Sequence, residues 1–245
     1  VAVAGEDKEI TYEDVQRVIQ AAKVVMIPAE RKLIHAIPCE YVVDGYGGIR
    51  NPVGMSGSRL EVETHIVTGA AAAVQNIMKS VYQAGVEIDG LVLEQIASGA
   101  AVLTKDEIEL GVILIDVGGG TTDIAVFENG SIKGSAVLPL GGDHVTNDIA
   151  VGLRTPVAQA EKIKIKYGCA LQELADAAKQ IELPDVGGSG SHLVSQVSLA
   201  NIIEPRMQEL FALASREVKK LGCTTLLPGG VVITGGSYLL PGVLE

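Results

Sequence analysis

Ile115-Asp116-Val117-Gly118-Gly119-Gly120-Thr121-Thr122-Asp123 carries more architectural information than any other stretch of this 245-residue chain. Three consecutive glycines lie between two apolar, strand-like runs, Val112–Val117 and Asp123–Phe127. Without Cβ atoms, Gly118, Gly119 and Gly120 let the backbone approach an anion closely and turn its amide N–H groups inward. Thr121 and Thr122 add hydroxyl donors for phosphate oxygens. Asp116, two residues before the glycines, ends its strand as a carboxylate suited to hold Mg²⁺ through retained waters. A dinucleotide fingerprint or a Walker loop would open a helix here, and the latter also needs Gly-Lys-Ser/Thr; a strand follows instead, which disfavours both. A glycine-rich hairpin of purely structural purpose remains the competing reading of this motif alone.

On the C-terminal side a third strand is expected over Ser131–Leu138, joined to the second by Asn129-Gly130, a strong two-residue hairpin signal. After Gly141-Gly142 the pattern turns helical to about residue 167. It loosens around Pro184–Ser191, is helical again from Ser198 towards Lys220, and closes on a buried strand, Val231–Thr234. The tract Gly187-Gly188-Ser189-Gly190-Ser191 reads as a flexible loop. On the N-terminal side, Thr11 with Asp14 resembles a capping box that opens a helix reaching about Val24. Strands are expected over Lys32–Val43, with a break at Pro38, and over Arg59–Val67, with a long glycine-rich loop, Asp44–Ser58, between them. A helix over Ala71–Ala84 closed by Gly85, a short buried strand Ile88–Leu93 ending at Glu94, and a helix resuming at Ser98 complete the pattern.

Composition narrows the function class. With 19 Lys+Arg against 30 Asp+Glu the net charge is −11, which argues against a surface built for nucleic acid. Cys39, Cys169 and Cys223 are far apart and form no CxxC pair, so no disulfide framework or zinc site is suggested. No apolar run reaches the roughly 18 residues of a membrane span, and the start lacks the features of a signal peptide, so the chain is expected to be cytoplasmic. It begins without Met and reads as a piece of a longer protein. The fold class is α/β.

Further residues share the chemistry of the glycine motif. Gly235, Gly236 and Ser237 close the last strand, where a flat purine or ribose could lie against bare backbone; a helix-start turn is the alternative. Glu161 and Lys164, three apart on a helix, share a face and could address a ribose or base edge, or form a solvated charge pair. Gly141 and Gly142 precede a helix whose first amides could meet phosphate, or they make a tight strand-to-helix turn. Glu94, an acid at a strand end, could orient a water or serve as base, or be paired structurally.

Taken together, these motifs occur in the order found in the actin-like (ribonuclease H-like) ATPase superfamily. Gly54-Met55-Ser56-Gly57-Ser58-Arg59-Leu60-Glu61-Val62, Leu91-Val92-Leu93-Glu94 and Ile203-Glu204-Pro205-Arg206 resemble the FtsA family of bacterial cell-division proteins. The resemblance implies two lobes with ATP and Mg²⁺ between them. Residues 1–67 would be the FtsA-type small α+β domain and 68–108 the rest of the first lobe. Residues 109–150 and 200–245 would form the second lobe, with 151–199 inserted in it. It further implies that Asp116 through Thr122 form the second phosphate hairpin, that Glu161 and Lys164 contact adenosine, and that Gly235 to Ser237 lie beside adenine. Glu94 would orient the attacking water. The family polymerises, recruits the tubulin-like ring protein FtsZ, and reaches the membrane through a C-terminal amphipathic helix; Arg206 and Glu209 would lie where the FtsZ tail docks. Weak ATPase activity at most is implied. A sugar or acid kinase of the same superfamily, with Glu94 as base, is the alternative function.

Overall fold

Thr11 opens the first element. Its hydroxyl accepts the Asp14 amide at 3.3 Å while the Asp14 carboxylate accepts the Thr11 amide at 2.9 Å, and this reciprocal cap starts α1, Tyr12–Ala22. The computed structural model describes residues 1–3, 8–184 and 190–245. It divides into two units, Val1–Ala97 with Gly130–Gly134, and Ser98–Asn129 with Ser135–Glu245.

In the first unit, β1 (Arg31–Val43), β2 (Tyr46–Ile49) and β3 (Leu60–Ala70) form an antiparallel sheet in the order β2-β1-β3. The β1–β3 register slips between Leu33 and His35 and again between Pro38 and Glu40; the second slip falls at a proline, which has no N–H for the ladder. Strand β2 corrects the expectation of an unbroken loop over 44–58. Asp44 and Gly45 both have positive φ, 49° and 88°, and Val43 pairs with Tyr46, so Asp-Gly makes a two-residue hairpin. Val15 and Val18 of α1 pack with Ile10, Tyr41, Val43 and Leu60 into one core.

Helix α2 (Ala71–Gln83) ends before Gly85, whose φ is 77°. The strand expected over Ile88–Leu93 does not form; these residues are exposed or half-buried and carry no regular structure. Asp89-Gly90 interrupts an apolar run too short to form a strand without a neighbour to pair with. Helix α3 (Glu94–Val102) starts four residues earlier than anticipated, and α4 (Lys105–Leu110), capped reciprocally by Thr104 and Glu107, was not anticipated.

The second unit is built on the glycine motif. Strands β4 (Val112–Val117), β5 (Thr122–Glu128) and β6 (Ser131–Leu138) match the expected meander, turning at Asn129 and Gly130 with φ of 54° and 82°. The expected single helical stretch is two helices, α5 (Gly142–Gly152) and α6 (Val157–Tyr167), separated by Arg154 at φ 51° and by Pro156. An unanticipated hairpin pairs β7 (Gln180–Pro184) with β8 (Ser191–Ser195). Residues 185–189, which include the first three of the expected loop over 187–191, lie outside the described residues.

Helix α7 (Gln196–Lys220) runs through Pro205 and serves two cores. Its buried stripe, Leu199, Ile203, Met207, Leu210, Ala214 and Val218, recurs every three or four residues. The first half packs with Val145, Ile149, Ile163 and Leu183, and the second with Ile115, Val117, Ile124 and Val126 of the sheet. Strand β9 (Val231–Thr234) joins β4 in parallel and completes the order β6-β5-β4-β9. Among the described residues no helix is long and apolar enough to cross a membrane.

Candidate functional site

The turn between β4 and β5 closes with the Gly118 amide donating to the Thr121 carbonyl at 3.0 Å. The amides of Gly119 and Gly120, both exposed, donate to nothing among the described residues, which leaves two N–H groups for an anion. The threonine hydroxyls are engaged differently from the expectation. Thr122 is fully buried and donates to the Leu140 carbonyl at 2.7 Å, tying the turn to the approach to α5, while Thr121 donates to Asp123 Oδ2 at 3.0 Å.

The first amides of α5 are also engaged. Gly142 donates to the Gly118 carbonyl at 2.9 Å and Asp143 to the Gly119 carbonyl at 2.8 Å. The turn therefore binds the helix start, and of the two readings of Gly141-Gly142 the tight strand-to-helix turn describes these amides. Gly142 nevertheless lines the same cavity as the glycine turn.

Asp116 and Asp123 stand opposite each other across the β4–β5 ladder. Ser98 donates to Asp116 Oδ2 at 2.7 Å. Burial raises the pKa of Asp123, the Thr121 hydrogen bond opposes this, and the charge of Asp116 adds to the rise. Two facing carboxylates that repel each other form an all-oxygen donor set of the kind Mg²⁺ takes with several retained waters. Among the described residues no group of three or more His, Cys, Asp or Glu could hold a metal directly. Asp123 is a site residue that the motif alone does not mark; its place opposite Asp116 in the ladder is what reveals it.

Lys164 and Glu161 of α6 meet this region. Lys164 is buried rather than solvated, and its Nζ donates to the Gly142 carbonyl at 3.0 Å, to Thr146 Oγ1 at 2.8 Å and to Glu161 Oε2 at 2.7 Å. Burial works against ionisation of Glu161, yet the Lys164 and Thr146 hydrogen bonds and the Lys164 charge outweigh it and hold the carboxyl below its ordinary range. Gly235, at φ 91°, adopts a backbone open only to glycine, and a Cβ there would stand 2.4 Å from the Val117 carbonyl oxygen. A short 3₁₀ turn, Gly236–Leu239, follows, so this segment is a helix start and a cavity wall at once.

These pieces enclose a cavity of about 310 Å³, lined by Gly118, Gly119, Gly142, Asp143, Glu161, Lys164, Ile165, Gly236, Ser237, Leu239 and Leu240. Three motifs spread over more than a hundred residues of chain thus share one cavity. Ile165 and Leu239, both more than 70% exposed, add apolar walls that sequence reasoning missed. Asp116, Gly120, Thr121, Thr122, Gly141 and Gly235, also expected at the site, are not among its lining residues.

Glu94 is the first residue of α3 in the first unit. Just before it, the Leu93 amide donates to His35 Nε2 at 3.0 Å. On α7, Arg206 grips both oxygens of Asp148 on α5, at 2.6 and 3.1 Å, and donates to Glu209 at 2.5 Å. The Asp148 hydrogen bonds raise the Arg206 pKa against an opposing effect of burial.

The family model for cell division protein FtsA matches residues 113–245, and that for the SHS2 domain inserted in FtsA matches residues 1–68. The chain is 49% identical over 243 residues to the cell division protein FtsA of Pseudomonas aeruginosa and 44% identical over 245 residues to that of Bacillus subtilis. It covers 99% and 100% of itself in these matches but 58% and 56% of the relatives, so it spans little more than half their length. Among solved structures it resembles a PilM–PilN type IV pilus biogenesis complex, with TM-score 0.64, 16% identity, and coverage of 96% of this chain and 59% of that one. It also resembles MreB5 of Spiroplasma citri bound to ADP, with TM-score 0.55, 23% identity, and coverage of 70% and 55%. The fold is that of the actin-like ATPases.

Proposed function

Since this chain belongs to the cell division protein FtsA family, we propose that its cavity takes the nucleoside part of ATP, as one wall of a nucleotide site in an actin-like cell-division scaffold. The observation that carries this reading is the convergence of Gly118–Gly119, Glu161–Lys164 and Gly236–Ser237 on one cavity of about 310 Å³. That volume is at the small end for ligand pockets, about 300–1,000 Å³, and suits part of a nucleotide. The exposed amides of Gly119 and Gly120 supply donors for phosphate. Asp116, with Asp123 opposite, is the group that would hold Mg²⁺ through water. When bound, the ion would neutralise phosphate charge. Ile165 and Leu239 offer apolar surface to a base, and Glu161 offers an acceptor to sugar hydroxyls. MreB5 of Spiroplasma citri, which shares the fold, is bound to ADP in its crystal structure, which supports a nucleotide on this fold.

The partner reading rests on family membership. The protein would assemble into filaments and recruit the tubulin-like ring protein FtsZ at the cytoplasmic face of the membrane, with Arg206 and Glu209 near the docking peptide. Glu94 would orient the attacking water in a slow hydrolysis.

The test is calorimetric titration of ATP with Mg²⁺ into this chain and into a form extended at both ends to the length of its relatives. Binding by the long form is expected. Binding by neither form would reduce the glycine motifs to structural turns and overturn the reading.

A further inference from the structure

Between α1 and β1 the chain reads Lys23-Val24-Val25-Met26-Ile27-Pro28-Ala29-Glu30-Arg31-Lys32. Val24 is 87% exposed, Val25 50% and Met26 99%. Scattered singly, exposed apolar residues mean little, but three in succession make a patch. The backbone beneath them is anchored at its ends. The Val24 amide donates to the Ala21 carbonyl at 3.1 Å, Arg31 to Pro28 at 2.9 Å and Ala71 to Glu30 at 2.8 Å. The amides of Val25, Met26 and Ile27 donate to nothing among the described residues.

Cations bracket this run. The chain carries a net charge of −11, yet Lys23, Arg31 and Lys32 stand here against Glu30 alone. Residues 68–73, which lead from β3 into α2 beside the start of β1, hold no charged side chain. Arg31 is tied by Nε to Thr68 Oγ1 and by Nη2 to the Thr68 carbonyl, both at 2.7 Å, so its charge is aimed but not neutralised. Lys23 and Lys32 form no ion pair among the described residues.

We propose that residues 23–32 form a membrane-contacting tip. It sets Val24, Val25 and Met26 into the headgroup boundary of an anionic bilayer, with Lys23, Arg31 and Lys32 on the lipid phosphates. A protein partner would need a pocket for each projecting side chain, whereas a bilayer surface takes apolar side chains of any shape. The unpaired amides keep the insertion shallow, at the depth where ester and phosphate oxygens accept them. This contact is distinct from the nucleotide cavity and from the C-terminal helix that family membership implies.

The experiment uses the 245-residue chain, which has no tryptophan, so that Met26→Trp supplies a single fluorescent reporter. Vesicles of phosphatidylcholine alone are compared, by flotation and by emission, with vesicles of phosphatidylcholine and phosphatidylglycerol in equal parts. On the anionic vesicles the chain should float and the Met26→Trp emission should move to shorter wavelength. Binding to the neutral vesicles should be at least about ten-fold weaker, and added salt should shrink the difference. Val24→Asp combined with Met26→Asp should weaken binding to the anionic vesicles about ten-fold or more, with the thermal midpoint unmoved because both positions are exposed. Val151→Asp, at an apolar position of α5 that is 80% exposed, should bind as the unsubstituted chain does. No flotation, equal binding to both vesicles, or binding that survives the paired aspartates would overturn the proposal. Met26→Trp emission already shifted without vesicles in the extended form would overturn it too, by showing the tip covered by another part of the longer protein. None of these outcomes touches the ATP titration, so the two readings fail separately.

Discussion

A β-carbon on Gly141 would stand 2.5 Å from the carbonyl oxygen of Gly119 and 2.6 Å from that of Gly118. The start of α5 is thus pressed onto the glycine turn, backbone against backbone. The same two carbonyls accept the amides of Asp143 and Gly142, so turn and helix hold each other in place. Whatever binds one of them meets a geometry fixed by the other.

Gly141→Ala should therefore be costly. The obstructing atoms are carbonyl oxygens rather than the tip of a flexible side chain, so the backbone must separate, at about 1–3 kcal/mol for an overpacked site. Gly120→Ala is the control, since nothing lies within 4 Å of its added carbon, and it should cost less than about 0.5 kcal/mol. Urea unfolding of both variants decides the matter; equal midpoints would mean that the close approach is easily relieved.

Asp116→Ala should abolish the Mg²⁺ dependence of ATP binding and, with it, nucleotide-dependent assembly in the extended protein. Unchanged assembly with ATP would remove Asp116 from the metal role. Glu94→Ala, by contrast, should slow hydrolysis and leave ATP affinity intact. Loss of affinity would make Glu94 a structural acid.

The depressed pKa of Glu161 has a pH signature of definite sign. A carboxyl whose folded value lies below its ordinary 4.5 stabilises the fold fully above that value, and the contribution disappears as the pH falls through the folded value. The gap in Tm between the unsubstituted protein and Glu161→Gln should stay level from about pH 8 to 5 and close below 4.5. A gap that widened on acidification would contradict the Lys164 and Thr146 contacts as its source.

Arg206 and Asp148 should show measurable coupling. Both side chains are about 30% exposed and the contact is bidentate, a geometry stronger than a single-point surface pair. A double-mutant cycle of Arg206→Ala and Asp148→Asn, read by denaturation, should give about 1 kcal/mol. In a binding assay of the proposed FtsZ-tail contact, Arg206→Ala should lower affinity more than Glu209→Ala; affinity unchanged from the unsubstituted protein in both variants would remove these residues from the proposed contact.

Local rules made much of this molecule legible. The capping box at Thr11, the Asn129-Gly130 hairpin and the strand on each side of Gly118–Gly120 each depend on neighbours within a few residues, and all appear in the structure. The Asp44-Gly45 signal is equally local, but the glycines that follow it make the whole stretch read as one loop. The β7–β8 pair had no such signal, because Pro184 and the glycine-serine tract after it read as a break in regular structure.

The amino-acid order settled the glycine turn with its two strands, α1, α2 and the stripe of α7, because φ preferences and apolar periodicity act over a handful of residues. Long-range packing settled what each polar group does. That Thr122 serves Leu140, that Lys164 is buried with all its protons engaged, and that Ile165 and Leu239 face one cavity depends on contacts between residues 18 to more than 70 positions apart. Such contacts follow from where α5, α6 and the end of β9 come to rest against the sheet, and no periodicity along the chain encodes the direction in which a hydroxyl or an ammonium finally points.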